Sequence, residues 1–519
     1  MTPRSDSGLG SILPFQSELQ PYIARLSILQ PASRPCLHTV RKRHPQRPGL
    51  IKQTRLSPTT AKSGHVTADS NLLQADRPQQ IRAVQRHTET TKGTAMVIGA
   101  GPAGALSAIV LAQDGFAVEV YEQRALPDPM HRNFDRSYSL AVGHRGLGAL
   151  EKVGVNMQRY KEPFPYKGSM NMWREGHVTE HFHDPITSKA LVERMELVRH
   201  LIDEAHKLCG DKITWHWQHA CEEVDLQHRR VTFSNPAGKK VSAAYDLLLG
   251  ADGVNSRVRG ELERQVPDYK GQWYGRMHRI DKFFHQIAPG PDEPAPQTPR
   301  GELDSQASVL RFYHIKSPAP LSIGLMHVHN HANGTYSGGL GFSRGSESRE
   351  DPTGGVLSHQ GDYEAVLQQL DPIYPPGMRK KMAEQMAQRP WFFSGSTLQV
   401  PRLHHGRVLL LGDAAHAVSA SVGQGVNAAL EDCSMLGQAL LNAPEGQEID
   451  QLLSRYDKER YADVYALGHM HRFVSHPCAQ TIWNALPGTL MKDDIALIWF
   501  TTVNCKNTSV SCFSCAHIS

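Results

Sequence analysis

The segment that most constrains this 519-residue chain begins at Ala95. Ala95-Met96-Val97-Ile98 is a short apolar run that breaks into Gly99-Ala100-Gly101-Pro102-Ala103-Gly104, the spacing G-x-G-x-x-G. Ala105 to Gln113 reads as a helix of small and apolar residues, and Phe116 to Tyr121 as a second strand ending at Glu122. Strand, glycine turn, helix and strand make a βαβ unit. In such a unit Gly99 permits the tight turn, Gly101 lets bare backbone approach a pyrophosphate, and Gly104 lets helix and strand pack closely. The helix N-terminus offers N–H donors and partial positive charge to a phosphate. Glu122 stands where an acid accepts hydrogen bonds from an adenosine ribose. Binding of an ADP moiety follows, with the rest of the dinucleotide left open.

Two later segments narrow it. Leu247-Leu248-Leu249-Gly250-Ala251-Asp252-Gly253 is an apolar strand breaking into a polar turn, and Arg257 opens a helix behind it. Val408-Leu409-Leu410-Leu411-Gly412-Asp413-Ala414-Ala415-His416 is a second such strand, continued by Ser421-Val422-Gly423-Gln424-Gly425-Val426-Asn427. In this order the three segments resemble the fingerprints of class A flavoprotein monooxygenases: the glycine motif, a DG motif and a GD motif. The resemblance implies an α/β fold, with a discontinuous glutathione-reductase-like Rossmann FAD domain interleaved with a mixed β-sheet substrate domain. It implies that Asp413 hydrogen-bonds the ribityl chain of FAD, and that Asp252 and Arg257 bridge the FAD pyrophosphate and transiently bound NADPH. Gly423 and Gly425 can bring bare N–H groups to the flavin ring. A helix starting near Gly425 would point its positive end where charge collects on reduction.

Within that class the chain is similar to kynurenine 3-monooxygenases. The likeness rests on Arg136-Ser137-Tyr138 through His144-Arg145-Gly146 and on Val192-Glu193-Arg194-Met195. It implies cofactor contacts at Ala103, Tyr121, Glu122, Gln123, Arg124, Arg136, Ala141, Arg194, Asp413, Val426 and Asn427, with Cys221 a further candidate. Where those enzymes set an arginine against the substrate carboxylate this chain has Ser169, and where they set an asparagine in the late helix it has Met470. Lys167 or Arg174 is then the cation that pairs with a carboxylate. The implied reaction is NADPH-driven transfer of one oxygen atom of O2 to an aromatic small molecule. Its chemistry is carried by flavin C4a, so no protein group is assigned as catalytic. Two other readings are an FAD-dependent isoprenoid reductase or epoxidase and a non-catalytic FAD-binding protein.

Charge and composition bound the partners. Residues 1–93 carry 14 Lys plus Arg against 5 Asp plus Glu, while the remainder carries 42 against 46. The basic excess therefore lies outside the folded body, which excludes a nucleic-acid surface. A basic, acid-poor and aperiodic leader predicts a disordered transit peptide for a plastid or mitochondrion. No apolar run approaches the length of a membrane span, although peripheral membrane contact is compatible with the chain. The expected FAD-domain segments are 94–153, 185–265 and 396–475, and the substrate-domain segments are 154–184 and 266–395. Within the latter, Ser308 to His314, Leu321 to His329 and Thr335 to Phe342 predict strands, separated by loops over Pro289 to Arg300 and Ser343 to Gly355. Asp450 to Phe473 predicts a long amphipathic helix, and residues 476–519 form an atypical, cysteine-rich tail. His327, His329 and His331 share a strand face by period. No acid accompanies them at a fixed offset, so no metal is assigned.

Overall fold

The computed structural model describes residues 91–126, 138–158, 166–172, 178–182, 190–274, 279–298, 301–302, 308–322, 324–419 and 423–474. The leader up to residue 90, the tail from residue 475, Arg136 and Arg174 lie outside these residues.

The apolar runs of the three motifs become neighbouring strands because each is buried on both faces. Such strands read as continuous rather than alternating hydrophobicity. A six-stranded sheet has the order His404–His405, Val408–Leu410, Leu247–Gly250, Thr94–Ile98, Ala117–Glu122, Ile213–Trp217. All its pairs are parallel except the first. Ala95, Met96 and Val97 are fully buried at its centre, as are Leu248 and Leu249. The motif helix runs Pro102–Gln113, starting three residues before the apolar stretch because Pro102 occupies its first turn. It packs against helices Arg194–Cys209 and Gly425–Leu441 as well as the sheet. That explains its lack of a polar face: Ala103 through Ala112 are all buried.

A second, seven-stranded sheet has the order Phe392–Ser394, Arg279–Ile287, Tyr336–Ser343, Leu325–Asn330, Ser308–His314, Tyr166–Met172, Val178–Phe182. It is mixed: Ser308–His314 runs parallel to Tyr166–Met172 and the other pairs are antiparallel. The strand expected from Leu321 begins only at Leu325, because Leu321 N–H closes a turn onto the Pro318 carbonyl at 2.9 Å. The expected loop from Pro289 contains a short antiparallel pair, Gln297–Thr298 with Gly301–Glu302. Helices Gln360–Leu367 and Pro376–Gln388 pack on each other, and the latter on strand Arg279–Ile287.

Between the sheets lies a two-stranded ribbon, Ser139–Val142 with Ala190–Glu193. The late helix, Ile449–Val474, buries Leu452, Leu453, Tyr456, Val464 and Leu467.

Candidate functional site

Three turns meet at the C-terminal ends of the parallel strands, where ligands of open α/β sheets bind. The first is the glycine turn. Gly99 adopts φ +98°, and a Cβ there would meet the Ala251 carbonyl oxygen at 2.6 Å. At Gly104 a Cβ would lie 1.8 Å from the Gly99 carbonyl oxygen, so helix and turn touch backbone to backbone. Gly101 caps the helix without a side-chain hydrogen bond, and no acid stands in the first turn. Its terminal N–H groups and dipole are therefore available to an anion.

The second turn is the DG segment. Asp252 Oδ2 accepts from the N–H groups of Arg257 at 2.6 Å and Val258 at 3.3 Å, at the start of helix Arg257–Gln265. Asp252 Oδ1 is buried and has no hydrogen-bond partner among the described residues. The third turn is the GD segment, where Asp413 opens the single-turn helix Asp413–His416. The Asp413 side of the turn is exposed to solvent. The protein around the carboxylate pushes its pKa up, partly offset by His416 and Arg194. Gly425 begins its helix as expected, with no side-chain cap and no acid in the first turn. A Cβ on Gly425 would approach Asp413 Oδ1 to 3.9 Å, and one on Gly101 would approach Arg194 Nη2 to 3.6 Å.

Two uncapped helix N-termini, Arg194, Asp413 and an orphaned Asp252 oxygen thus gather at the three turns, which outline a groove at the strand ends. This donor set suits FAD: N–H dipoles and a guanidinium for the pyrophosphate and flavin, and carboxylate acceptors for hydroxyls. These residues would hold the cofactor.

The other residues expected at the cofactor have the following places in the fold. Tyr121 is spent in the core, its ring stacked between Phe233 at 3.8 Å and His216 at 4.4 Å. Asn427 is buried, with its amide tying the ribbon down: Nδ2 donates to the Ala141 carbonyl at 3.1 Å and Oδ1 accepts from Gly143 N–H at 2.8 Å. Glu122 faces the turn, but Oε2 already accepts from Ala100 N–H at 2.9 Å and Oε1 from Arg124 N–H at 3.0 Å. Gln123 and Arg124 are exposed at that strand's end, Ala103 is buried, and Val426 is half-buried. Cys221 lies half-buried in a separate strand, Ala220–Asp225, where burial and nearby Asp252 push its thiol up to about 12. Lys167 and Ser169 lie on Tyr166–Met172, with Ser169 paired to Leu310, and Met470 is in the late helix.

The sequence reading missed the supports. Arg259, buried, donates to the Ala414 carbonyl at 2.9 Å and the Val254 carbonyl at 2.8 Å, joining the DG and GD turns. Asp432 Oδ2 accepts from Gly412 N–H at 2.8 Å and contacts His416 Nε2 at 2.7 Å. Asp432 Oδ1 takes the Nε–H of Arg460 at 2.7 Å, and Arg460 also reaches Glu431 at 2.7 Å. Burial alone would raise the Asp432 pKa, but His416 and Arg460 bring it to about 2. A carboxylate held below its unfolded value of about 3.9 binds fewer protons when folded. Its stabilisation is complete above about pH 4 and is lost as pH falls towards 2. The unfolding free energy is expected to fall across that window by up to about 2–3 kcal/mol from this group. Asp432→Asn should flatten that slope in a urea titration run at each pH; an unchanged slope would refute the assignment.

The histidine face has a neighbour that the sequence does not show. The fold brings an acid to the histidines from another strand: Glu193 lies with His329 and His331 so that one ligand atom from each falls within 4.8 Å of the others. Fixed offsets in sequence do not reveal such a juxtaposition.

On the ribbon side of the second sheet, aromatic rings gather beside Arg194. Tyr138, whose carbonyl accepts from Arg194 N–H at 3.0 Å, lies 5.7 Å from the Phe283 ring and 5.3 Å from Phe392. His327 meets Phe283 edge-on at 5.9 Å.

Comparison with known proteins agrees with this geometry. The family model described as FAD binding domain matches residues 92–281 and 370–467. Kynurenine 3-monooxygenase of Drosophila melanogaster is 26% identical over 392 residues, covering 75% of this chain and 78% of the relative. That of Myxococcus xanthus is 27% identical over 395 residues, covering 74% and 77%. Among solved structures, Klebsiella pneumoniae HpxO complexed with FAD and uric acid superposes with a TM-score of 0.52 at 20% identity, covering 76% of this chain and 91% of that one. The tetrameric form of 2-methyl-3-hydroxypyridine-5-carboxylic acid oxygenase gives 0.54 at 18%, covering 78% and 96%. With the matched segments spanning all three turns of the groove, this chain belongs to the FAD-binding-domain family and is an FAD-dependent monooxygenase.

Proposed function

We propose that the chain uses NADPH and O2 to hydroxylate an aromatic small molecule of the kynurenine type. The observation that carries this reading is the ring cluster of Tyr138, Phe283, Phe392 and His327 beside Arg194 and Asp413. Aromatic walls orient a flat substrate by stacked and edge-on contacts and exclude water. FAD, when bound, supplies the redox and oxygen-transfer chemistry. The protein's part is to hold the flavin's negative charge on Arg194 and the Gly425 helix end, and to fix Asp413 through Gly412, Asp432 and Arg460. Ser169 and Met470 leave the substrate carboxylate to Lys167 or Arg174. The relatives named above are kynurenine hydroxylases, which supports this substrate class.

The full chain, purified yellow, is expected to oxidise NADPH slowly alone and at least about tenfold faster with L-kynurenine, with hydroxylated product matching NADPH consumed. Flavin that bleaches at the same rate with and without kynurenine would remove it as substrate. We further propose an organelle destination encoded in residues 1–93. Those residues fused to a fluorescent protein should direct it to plastids or mitochondria, and diffuse fluorescence would sink the idea.

A further inference from the structure

We propose that Glu193, His329 and His331 bind one divalent transition-metal ion between the ribbon and the seven-stranded sheet. The three residues come from separate places in the chain. Glu193 ends the ribbon strand Ala190–Glu193, His329 lies in Leu325–Asn330, and His331 directly follows that strand. Glu193 and His329 are 2% and 1% exposed.

Proton counting around Ser139 shows why this place favours a cation. Its hydroxyl donates its single proton to Glu193 Oε1 at 3.3 Å. With that proton donated to Glu193, the 2.7 Å contact between Ser139 Oγ and His329 Nδ1 is one in which the imidazole N–H donates. A neutral His329 is left with a bare lone pair on Nε2. That atom is buried, has no hydrogen-bond partner among the described residues, and lies 3.6 Å from Glu193 Oε1. Two electron-rich atoms facing each other in a dry interior repel unless positive charge sits between them. Nitrogen and oxygen ligands about 2.1 Å from a tetrahedral zinc ion stand about 3.4 Å apart. The Glu193–His329 separation is near that, and a ring nitrogen of His331 completes the set within 4.8 Å.

The surroundings supply orientation. A metal-bound histidine usually donates its other N–H to a fixed acceptor, which Ser139 provides for His329. Ser337 Oγ contacts His331 Nε2 at 2.7 Å and His285 Nδ1 at 3.1 Å, while His285 Nδ1 lies 3.7 Å from Glu193. Two imidazoles and one carboxylate are a donor set for Zn2+ or Fe2+ rather than for Mg2+ or Ca2+. The ion would clasp the strand leading into Arg194 to the substrate-side sheet, independently of which substrate is used.

The test is metal analysis of the full-length, FAD-loaded protein by inductively coupled plasma mass spectrometry, with zinc as probe. Close to one ion per chain is expected, with a melting temperature that chelator lowers and Zn2+ restores. Cobalt substitution should give a visible d–d band outside the flavin spectrum. His329→Ala should reduce bound metal to background, and Ser139→Ala should weaken zinc binding about tenfold to a hundredfold. If His329→Ala does not fold, the cobalt spectrum of the unaltered protein and the Ser139→Ala titration decide. Metal-free protein with no cobalt band and no response of melting temperature to Zn2+ would overturn the proposal and leave a hydrogen-bonded Ser139–Glu193–His329 cluster in its place.

Discussion

Gly104→Ala is expected to yield protein that does not retain FAD. The added methyl would sit 1.8 Å from the Gly99 carbonyl oxygen, a backbone atom with no rotamer to escape into, and 3.4 Å from the Ala251 side chain. Either the helix lifts from the turn or the turn opens. Both displace the N–H groups at Gly101 from their place beside Arg194. Overpacking of this kind costs about 1–3 kcal/mol of fold stability. If a similar 3 kcal/mol is lost from cofactor binding, affinity drops about a hundredfold. The ratio of flavin to protein absorbance after gel filtration measures it, with fluorescence titration of the stripped protein as a second reading. Full flavin retention at unchanged affinity would show that the close approach is not needed.

Arg460→Met is expected to destabilise the fold by about 3–5 kcal/mol, because it strands the buried Asp432 carboxylate. Arg460 is 1% exposed and its guanidinium joins Asp432, Glu431 and the Ala428 carbonyl, the last at 3.0 Å. Methionine fills much of the volume, so the loss reports on charge more than on packing. Adding Asp432→Asn should recover part of it, since a neutral amide can still accept from Gly412. Urea midpoints of the single and double variants decide the matter; a single-variant loss below about 1 kcal/mol would mean that the network relaxes freely.

These supports show where sequence reading stops. The three motif strands were legible because continuous apolar runs ending in glycine turns have few other uses. The helix starting at Gly425 was legible from its glycines. Arg460 was not: four residues after Tyr456 and four before Val464 it falls on the apolar stripe itself, where a charge calls for a buried partner, but helical period does not say which one. Its partner Asp432 lies on a different helix, and only tertiary packing joins them. Tyr121 is the opposite case. Its place at a strand's end next to Glu122 suggests the cofactor, but its ring enters a stack with Phe233, a residue of the separate strand Arg230–Ser234. The aromatic wall beside Arg194 was hidden likewise, because Tyr138 and Phe392 meet only after the sheets close on each other.

The strand order sets a timetable for biosynthesis. Leu247–Gly250 lies between Thr94–Ile98 and Val408–Leu410, and Gly412 is held by Asp432 from the following helix. A nascent chain that has exposed only its glycine turn has one wall of the groove. The opposite wall leaves the ribosome after most of the protein has been made. The cofactor groove is therefore completed late in synthesis, and the glycine turn alone is only half of a binding site.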